Sequence, residues 1–379
     1  AYCSTGDAVP PDGVCTKYSY SIINLYMLVS YANAAFSKLL KLFGINLRTN
    51  YFYNIFCIPD LFWGWIPLTT IKAARLIRKR DIDIIYVSCT PHSSAIIGII
   101  LKRLSVKPLV IDYRDPFHIS ALKILKLPRS RRKINRAIQE YYLKRADITI
   151  VNNEDTKNIY IDEYPIVKNK IFAVHNGFDT KYLPSTRGEK FKKFTIVYTG
   201  NFYFLEIYPE LVFEAIKLLY EDSRLHKKNF QFLFYGEDIV EIGAIATRLG
   251  IEDLVTTNAR IPYREVLDIV SKSHLQLLRI VKPMISTKLF DGIAMNIPFL
   301  ATIPSGEVEG IIRQFSPDSF IVTEESADKV AEAILDAMSK YERKQIRDNY
   351  VDEFIDCYSR ENLTLKLMKI IDDNIVSDT

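Results

Sequence analysis

Short runs rich in branched and aromatic residues return along the chain at intervals that leave room for one helix between neighbours. They fall at 83–88 (DIIYVS), 108–113 (PLVIDY), 147–151 (DITIV), 171–175 (IFAVH), 194–199 (FTIVYT), 230–235 (FQFLFY), 275–280 (LQLLRI), 298–302 (PFLAT) and 319–323 (SFIVT). Helix-length segments lie between them, among others at 66–80, 131–145, 207–220, 263–272 and 325–339, several with apolar residues spaced i, i+3, i+4. Strands apolar on both faces that alternate with helices imply parallel sheets covered on each side, because a parallel neighbour is reached only by a long crossover. There are enough strands for two sheets. The polar segment DTKYLPSTRGEKFKK (179–193), with its Pro and Gly, reads as the linker between them. The expected organisation is α/β, with doubly wound domains over 1–185 and 186–350 and a helical segment, 351–379, that packs back on the first. Two such domains facing across a cleft would bind ligands at the carboxyl ends of their strands.

Charge separates the two halves. Residues 1–185 hold 26 Lys/Arg against 14 Asp/Glu, a net +12, while the remainder holds 24 against 31, a net −7. A basic half suggests an anionic partner, membrane or nucleic acid. The basic runs RLIRKR (75–80) and LKILKLPRSRRKINR (122–136) are interleaved with Leu and Ile, which enter an acyl boundary but do not stack on bases. A membrane surface is therefore expected and nucleic acid is not, although an ordinary solvated helix face fits the same residues. From Tyr18 to Ser37 no charge occurs. Four serines, two asparagines and four tyrosines make that run too polar for a comfortable hydrocarbon passage, so a non-spanning amphipathic helix is expected. The cysteines at 3, 15, 57, 89 and 357 form no C-x-x-C pair and no zinc spacing, which points to a reducing compartment and to no metal. Asp81 and Asp83 spell D-x-D before a strand, where metal ligands would be expected after one. The opening run AYCSTGDAVPPDG shows neither a signal peptide nor the apolar strand that opens a nucleotide-binding domain, so the true N-terminus is expected upstream.

The segment STKLFDGIAMNIPFLA (286–301) carries the densest chemistry. Ser286 or Thr287 can cap a helix whose first amides are unpaired, and such a terminus suits a phosphate. Lys288 adds a full positive charge there. Asp291, one turn later on the same face, can accept hydrogen bonds from both hydroxyls of a ribose. Asn296 can close the helix in the left-handed conformation, and Pro298 stops it. A capped surface helix with an incidental Lys/Asp pair fits this segment equally well. Gly200, directly after FTIVYT, permits close backbone approach to a ligand, and Asn201 can offer amide donors; a simple strand-ending turn is the alternative.

Seven motifs in order are similar to those of GT-B glycosyltransferases, in particular glycosyltransferase family 4. They are PPDGVCTK (10–17), SCTPHSS (88–94), VIDYRDPF (110–117), VHNGFDTKYL (174–183), IVYTGNFY (196–203), FLFYGE (232–237) and STKLFDGIAMNIP (286–298). The resemblance spans nearly the whole chain. It implies that Gly13, Gly200, Asn201 and Gly236 line the substrate loops, that Ser286, Thr287 and Lys288 face a diphosphate, and that Asp291 is the ribose-binding acid. Two departures stand out. The family often places Arg and Lys just beyond the glycine loop, whereas FYFLEIYPE (202–210) has neither, and Arg279 is the substitute read here. Many relatives also carry His where Arg114 stands. An arginine stays protonated and cannot act as a base, but its fork can hold an anionic or hydroxyl-rich group. Asp115 would then orient Arg114 or contact the acceptor, unless the two merely fix the loop. His92 reads as a helix-start residue near the cleft, with catalysis as the alternative.

The implied reaction moves a hexosyl unit from a nucleotide-diphosphate sugar to an acceptor hydroxyl with retention of configuration. It needs no cofactor beyond the donor itself. The acceptor is expected in the basic half, as a lipid-linked or other glycan. The enzyme is expected to be cytoplasmic and peripheral at the inner face of the cell membrane, in polysaccharide or glycolipid assembly. A GT-B sugar-nucleotide epimerase and a silent membrane-surface scaffold are the rival readings.

Overall fold

A computed structural model describes residues 25–42, 57–117, 127–183, 188–202, 209–281 and 284–376. The chain divides into two compact units, Ala1–Val174 with Lys369–Thr379 and His175–Met368.

In the first unit α1 (Leu25–Leu42) and α2 (Ile66–Lys79) precede β1 (Ile85–Cys89), α3 (Ser94–Ser105), β2 (Leu109–Tyr113), α4 (Arg129–Arg145), β3 (Ile148–Val151), α5 (Glu154–Glu163) and β4 (Ile171–Ala173). The four strands pair in parallel in the order β1-β2-β3-β4. Their core is Ile85, Leu109, Ile111, Tyr113, Val151 and Ile171, covered by Ile97 and Leu101 of α3 and by Tyr142 and Leu143 of α4. The uncharged run is helical from Leu25, with Val29 buried while Leu28, Tyr31, Leu39 and Leu42 are exposed. Among the described residues no helix is long and apolar enough to cross a membrane.

The second unit holds β5 (Phe194–Thr199), α6 (Glu210–Glu221), β6 (Phe230–Tyr235), α7 (Ile239–Leu249), β7 (Val255–Asn258), α8 (Tyr263–Lys272), β8 (Leu275–Arg279), α9 (Thr287–Ala294), β9 (Phe299–Thr302), α10 (Glu307–Phe315), β10 (Phe320–Val322) and α11 (Ala327–Glu342). It continues into α12 (Val351–Tyr358) and, as far as Met368, into α13 (Arg360–Ile371). All six strands are parallel, in the order β10-β9-β8-β5-β6-β7. The strands are apolar on both sides because each side feeds a separate core: Ile196, Tyr198, Phe232 and Phe234 face one, Val197, Leu233 and Leu278 the other. Phe354 of α12 completes the second core, stacked on Phe178 at 5.5 Å and lying against Phe290 and Phe315.

The chain winds outward from β5 in one direction through β6 and β7, then returns to β8 on the other side. Side by side, β5 and β8 therefore form the topological switch point, and the segments that leave their carboxyl ends diverge and open a crevice. Gly200 follows the first of these strands and Arg279 ends the second, with α9 beyond it.

Candidate functional site

Two glycines shape the floor of the crevice in the second unit. Gly200 has φ +101°, and its amide donates to Tyr235 O at 2.7 Å. Gly236 donates to Asn258 O at 3.1 Å, and a Cβ at that position would lie 2.4 Å from Gly200 O and 2.6 Å from Phe234 Cζ. The loops after β5 and β6 therefore touch through backbone, which only glycine permits here. Asn201 ties them further: Nδ2 donates to Glu237 Oε2 at 2.9 Å, and Oδ1 accepts from Glu237 N at 3.0 Å. Its side-chain amide thus ties the loop pair, giving Glu237 one of its two N–H donors. Replacing Gly236 by alanine is expected to cost about 1–3 kcal/mol through overpacking, read as a lower midpoint in thermal or denaturant unfolding.

The helix α9 begins as anticipated. Ser286 is the residue that caps it, Oγ accepting from Lys288 N at 3.3 Å, while Thr287 is exposed in the first turn. The Lys288 side chain folds back over the glycine loop. Its Nζ stands 3.3 Å from the point a Cβ on Gly200 would occupy and 4.8 Å from the ring centre of Tyr198. Burial pushes the Lys288 ammonium down to about 8, with Asp291 acting the other way. Asp291, one turn on, accepts from the Tyr263 hydroxyl at 2.6 Å. Burial raises its carboxyl, opposed by Tyr263, Arg360 and Lys288. Gly292 lets the helix lie close on the sheet, since a Cβ there would meet Gln276 Oε1 and Phe299 Cζ at 2.4 Å. Asn296 closes the helix at φ +58° and is held by Asp348 and Asn349.

Arg279 is buried, 7% exposed along its side chain, and its guanidinium meets Glu325 at 3.1 and 3.3 Å and Thr302 Oγ1 at 3.3 Å. A diphosphate would compete there with a carboxylate already in place.

The first unit places its singled-out residues at the carboxyl ends of β1 and β2. Asp112, 2% exposed, receives Arg114 Nε and Nη2 at 2.8 Å and the Tyr86 hydroxyl at 2.5 Å, all on Oδ2. Arg114 Nη1 also donates to Val174 O at 3.0 Å, and Arg114 O accepts from Asn152 Nδ2 at 2.7 Å. Burial works against the Arg114 charge, but Asp112 more than restores it. The partner of Arg114 is thus Asp112, two residues before it, whereas Asp115 is exposed. His92 is buried, with its ring 4.5 Å from that of Phe117. Its loop is fixed by Asp60, whose Oδ2 accepts from Ser93 N at 2.7 Å, and by Trp65 Nε1, which donates to Ser93 Oγ at 3.0 Å. Gly13 lies outside the described residues. Asp81 and Asp83 are exposed and precede β1, and among the described residues no group of three or more His, Cys, Asp or Glu could hold a metal ion.

Sequence reasoning passed over Asp112, Tyr86 and Tyr263. The first was detectable: a lone acid inside the apolar run LVIDY needs a cationic partner if the strand is buried.

Residues 44–182 match the sequence model of Glycosyltransferase Family 4. Among solved structures, a glycosyltransferase from Rickettsia africae is similar at 15% identity and TM-score 0.62, covering 82% of this chain and 81% of the other. Anabaena HepE in complex with UDP matches at 12% identity and TM-score 0.63, over 82% of this chain and 83% of the other. Sucrose-phosphate synthase from Thermosynechococcus elongatus matches at 14% and 0.61, over 83% and 79%. No curated protein sequence matches significantly. The solved structures show that this chain has the GT-B fold, and the similarity to glycosyltransferase family 4 covers residues 44–182.

Proposed function

We propose that this chain is a nucleotide-sugar-dependent glycosyltransferase whose donor diphosphate is held at the amino end of α9. The observation that carries the reading is the placement of Lys288 over Gly200, with Asp291 one turn away, at the switch point of the second sheet. A capped helix terminus, a partly desolvated cation and a glycine floor stabilise the negative charge that develops on a departing diphosphate. Asp291 takes the ribose hydroxyls. HepE has been solved with UDP-glucose, which makes a uridine nucleotide the first donor to try.

Transfer with retention of configuration follows from the family resemblance, and Arg114 then holds an anionic or hydroxyl-rich group from its seat on Asp112 and Val174. The test is incubation with labelled sugar nucleotides and a lipid extract. Label in lipid or glycan supports the transferase, an altered free sugar nucleotide supports an epimerase, and the absence of both products supports a scaffold.

The acceptor is a lipid-linked glycan met at an anionic membrane surface. Support comes from α4, where Arg129, Lys133 and Arg136 are exposed beside the half-exposed Ile134 and Tyr141. Arg131, of the same basic run, turns inward, bonding Asn135 and the carbonyl of Cys57. Each exposed cation near such a surface contributes about 1 kcal/mol. The chain is expected to sediment with anionic vesicles at low salt and to release at high salt. Charge reversal at Arg129, Arg132 and Lys133 abolishes that binding, whereas Arg131→Glu unfolds the segment instead. Vesicle binding indifferent to both salt and reversal counts against this attachment.

A further inference from the structure

The donor reading leaves unexplained why a tyrosine on a different helix reaches Asp291. Tyr263 is the first residue of α8, set by Pro262 before it. Its ring stands edge-on to Tyr182, with centroids 5.1 Å apart and planes at 88°. Arg264 and Lys181 both lie over the Tyr182 ring, at 5.7 and 4.9 Å. The phenol is thus braced from behind, and its hydroxyl donates to Asp291 Oδ1 at 2.6 Å.

A carboxylate rotates broadly about its last torsion, so an unbraced aspartate presents no fixed oxygen to a ligand. One donor on Oδ1 removes that freedom. Oδ2 is then left to accept from hydroxyls, and its acceptor capacity suits a vicinal diol, whose two O–H groups are donors. We propose that Tyr263 is a positioning residue of the donor site, fixing the Asp291 carboxylate so that its second oxygen meets the ribose diol of the nucleotide. This rests on the reading of Asp291 as the ribose contact.

Three groups besides the nucleotide govern the charge of Asp291: Lys288 on its own helix, Arg360 at the start of α13, and Tyr263. Burial favours the protonated acid, which would offer a donor where the ribose needs an acceptor. The Tyr263 hydroxyl opposes this, so losing it raises the Asp291 pKa, and ribose binding then fails at a higher pH than before.

The experiment is titration of uridine diphosphate and its 2′-deoxy counterpart onto the full chain by calorimetry, from pH 5 to 8, before and after Tyr263→Phe. At pH 8 the variant is expected to bind uridine diphosphate about 3- to 10-fold more weakly, the loss of one hydrogen bond. Its acid limb moves to higher pH, and its preference for the ribose over the deoxyribose form shrinks. In an Asp291→Asn background Tyr263→Phe adds nothing further. Tyr182→Leu, which removes the brace and keeps the hydroxyl, gives the same changes in smaller measure. An unchanged acid limb and unchanged discrimination in Tyr263→Phe overturn the positioning role while the donor site stands. Failure of the unaltered chain to bind uridine diphosphate at any of these pH values overturns both readings.

Discussion

Replacing Asp291 with alanine lowers nucleotide affinity by about 10- to 100-fold, the range expected when hydrogen bonds to a charged acceptor are lost. The effect is large because Asp291 is largely desolvated and braced by Tyr263 at 2.6 Å, so the ribose meets an acceptor already in place. Removing the carboxylate also leaves Lys288 without its one-turn anionic neighbour, which depresses the lysine further. Turnover at saturating donor changes less than affinity, since the ribose is held equally in the ground and transition states. Calorimetry and saturation kinetics separate the two. A variant that binds normally removes Asp291 from the donor site.

Lys288→Met has the opposite signature, in that turnover falls by about 10²-fold or more while nucleotide affinity falls less, because the charge it meets grows as the diphosphate leaves. A pH dependence accompanies this. Burial holds Lys288 at about 8 against an ordinary 10.5, so the folded chain without ligand loses the cation as pH rises through about 8. A bound diphosphate favours the ammonium, and at pH 8.5 binding is therefore expected to take up a proton. This appears in calorimetry as a heat that varies with the ionisation enthalpy of the buffer. The stability effect has the reverse sense. A lysine with a depressed folded pKa binds fewer protons folded than unfolded, so it opposes folding below about 8 and that penalty fades as pH rises towards 10.5. Lys288→Met should consequently raise the thermal midpoint at pH 7 while disabling transfer. A variant with normal turnover and no change in proton uptake contradicts the role.

The central parts of both sheets were legible because buried parallel strands must be apolar on both faces, and the expected runs 194–199 and 230–235 coincide with β5 and β6 to the residue. The strand β7, VTTN, was passed over for the same reason inverted: as an edge strand it is only half-buried and carries no apolar run. In α9 the cap, the left-handed Asn296 and the shared face of Lys288 and Asp291 follow from local spacing, so they could be read directly. Contacts between distant segments could not. Nothing in the sequence around Asn201 announces that Glu237 occupies its amide, around Arg279 that Glu325 reaches its guanidinium, or around Arg131 that a basic run sends one member inward. Each depends on where tertiary packing brings a second segment.

Titration of the full chain at pH 7 with uridine, guanosine, adenosine and thymidine diphosphates, and with the parent nucleosides, tests the account most directly. One nucleoside diphosphate is predicted to bind saturably at one site, its nucleoside far more weakly, with affinity lowered by Asp291→Ala and the diphosphate advantage reduced by Lys288→Met. Binding of none of the four, or binding that ignores both substitutions, would contradict the assignment of the switch-point crevice as a nucleotide-sugar site.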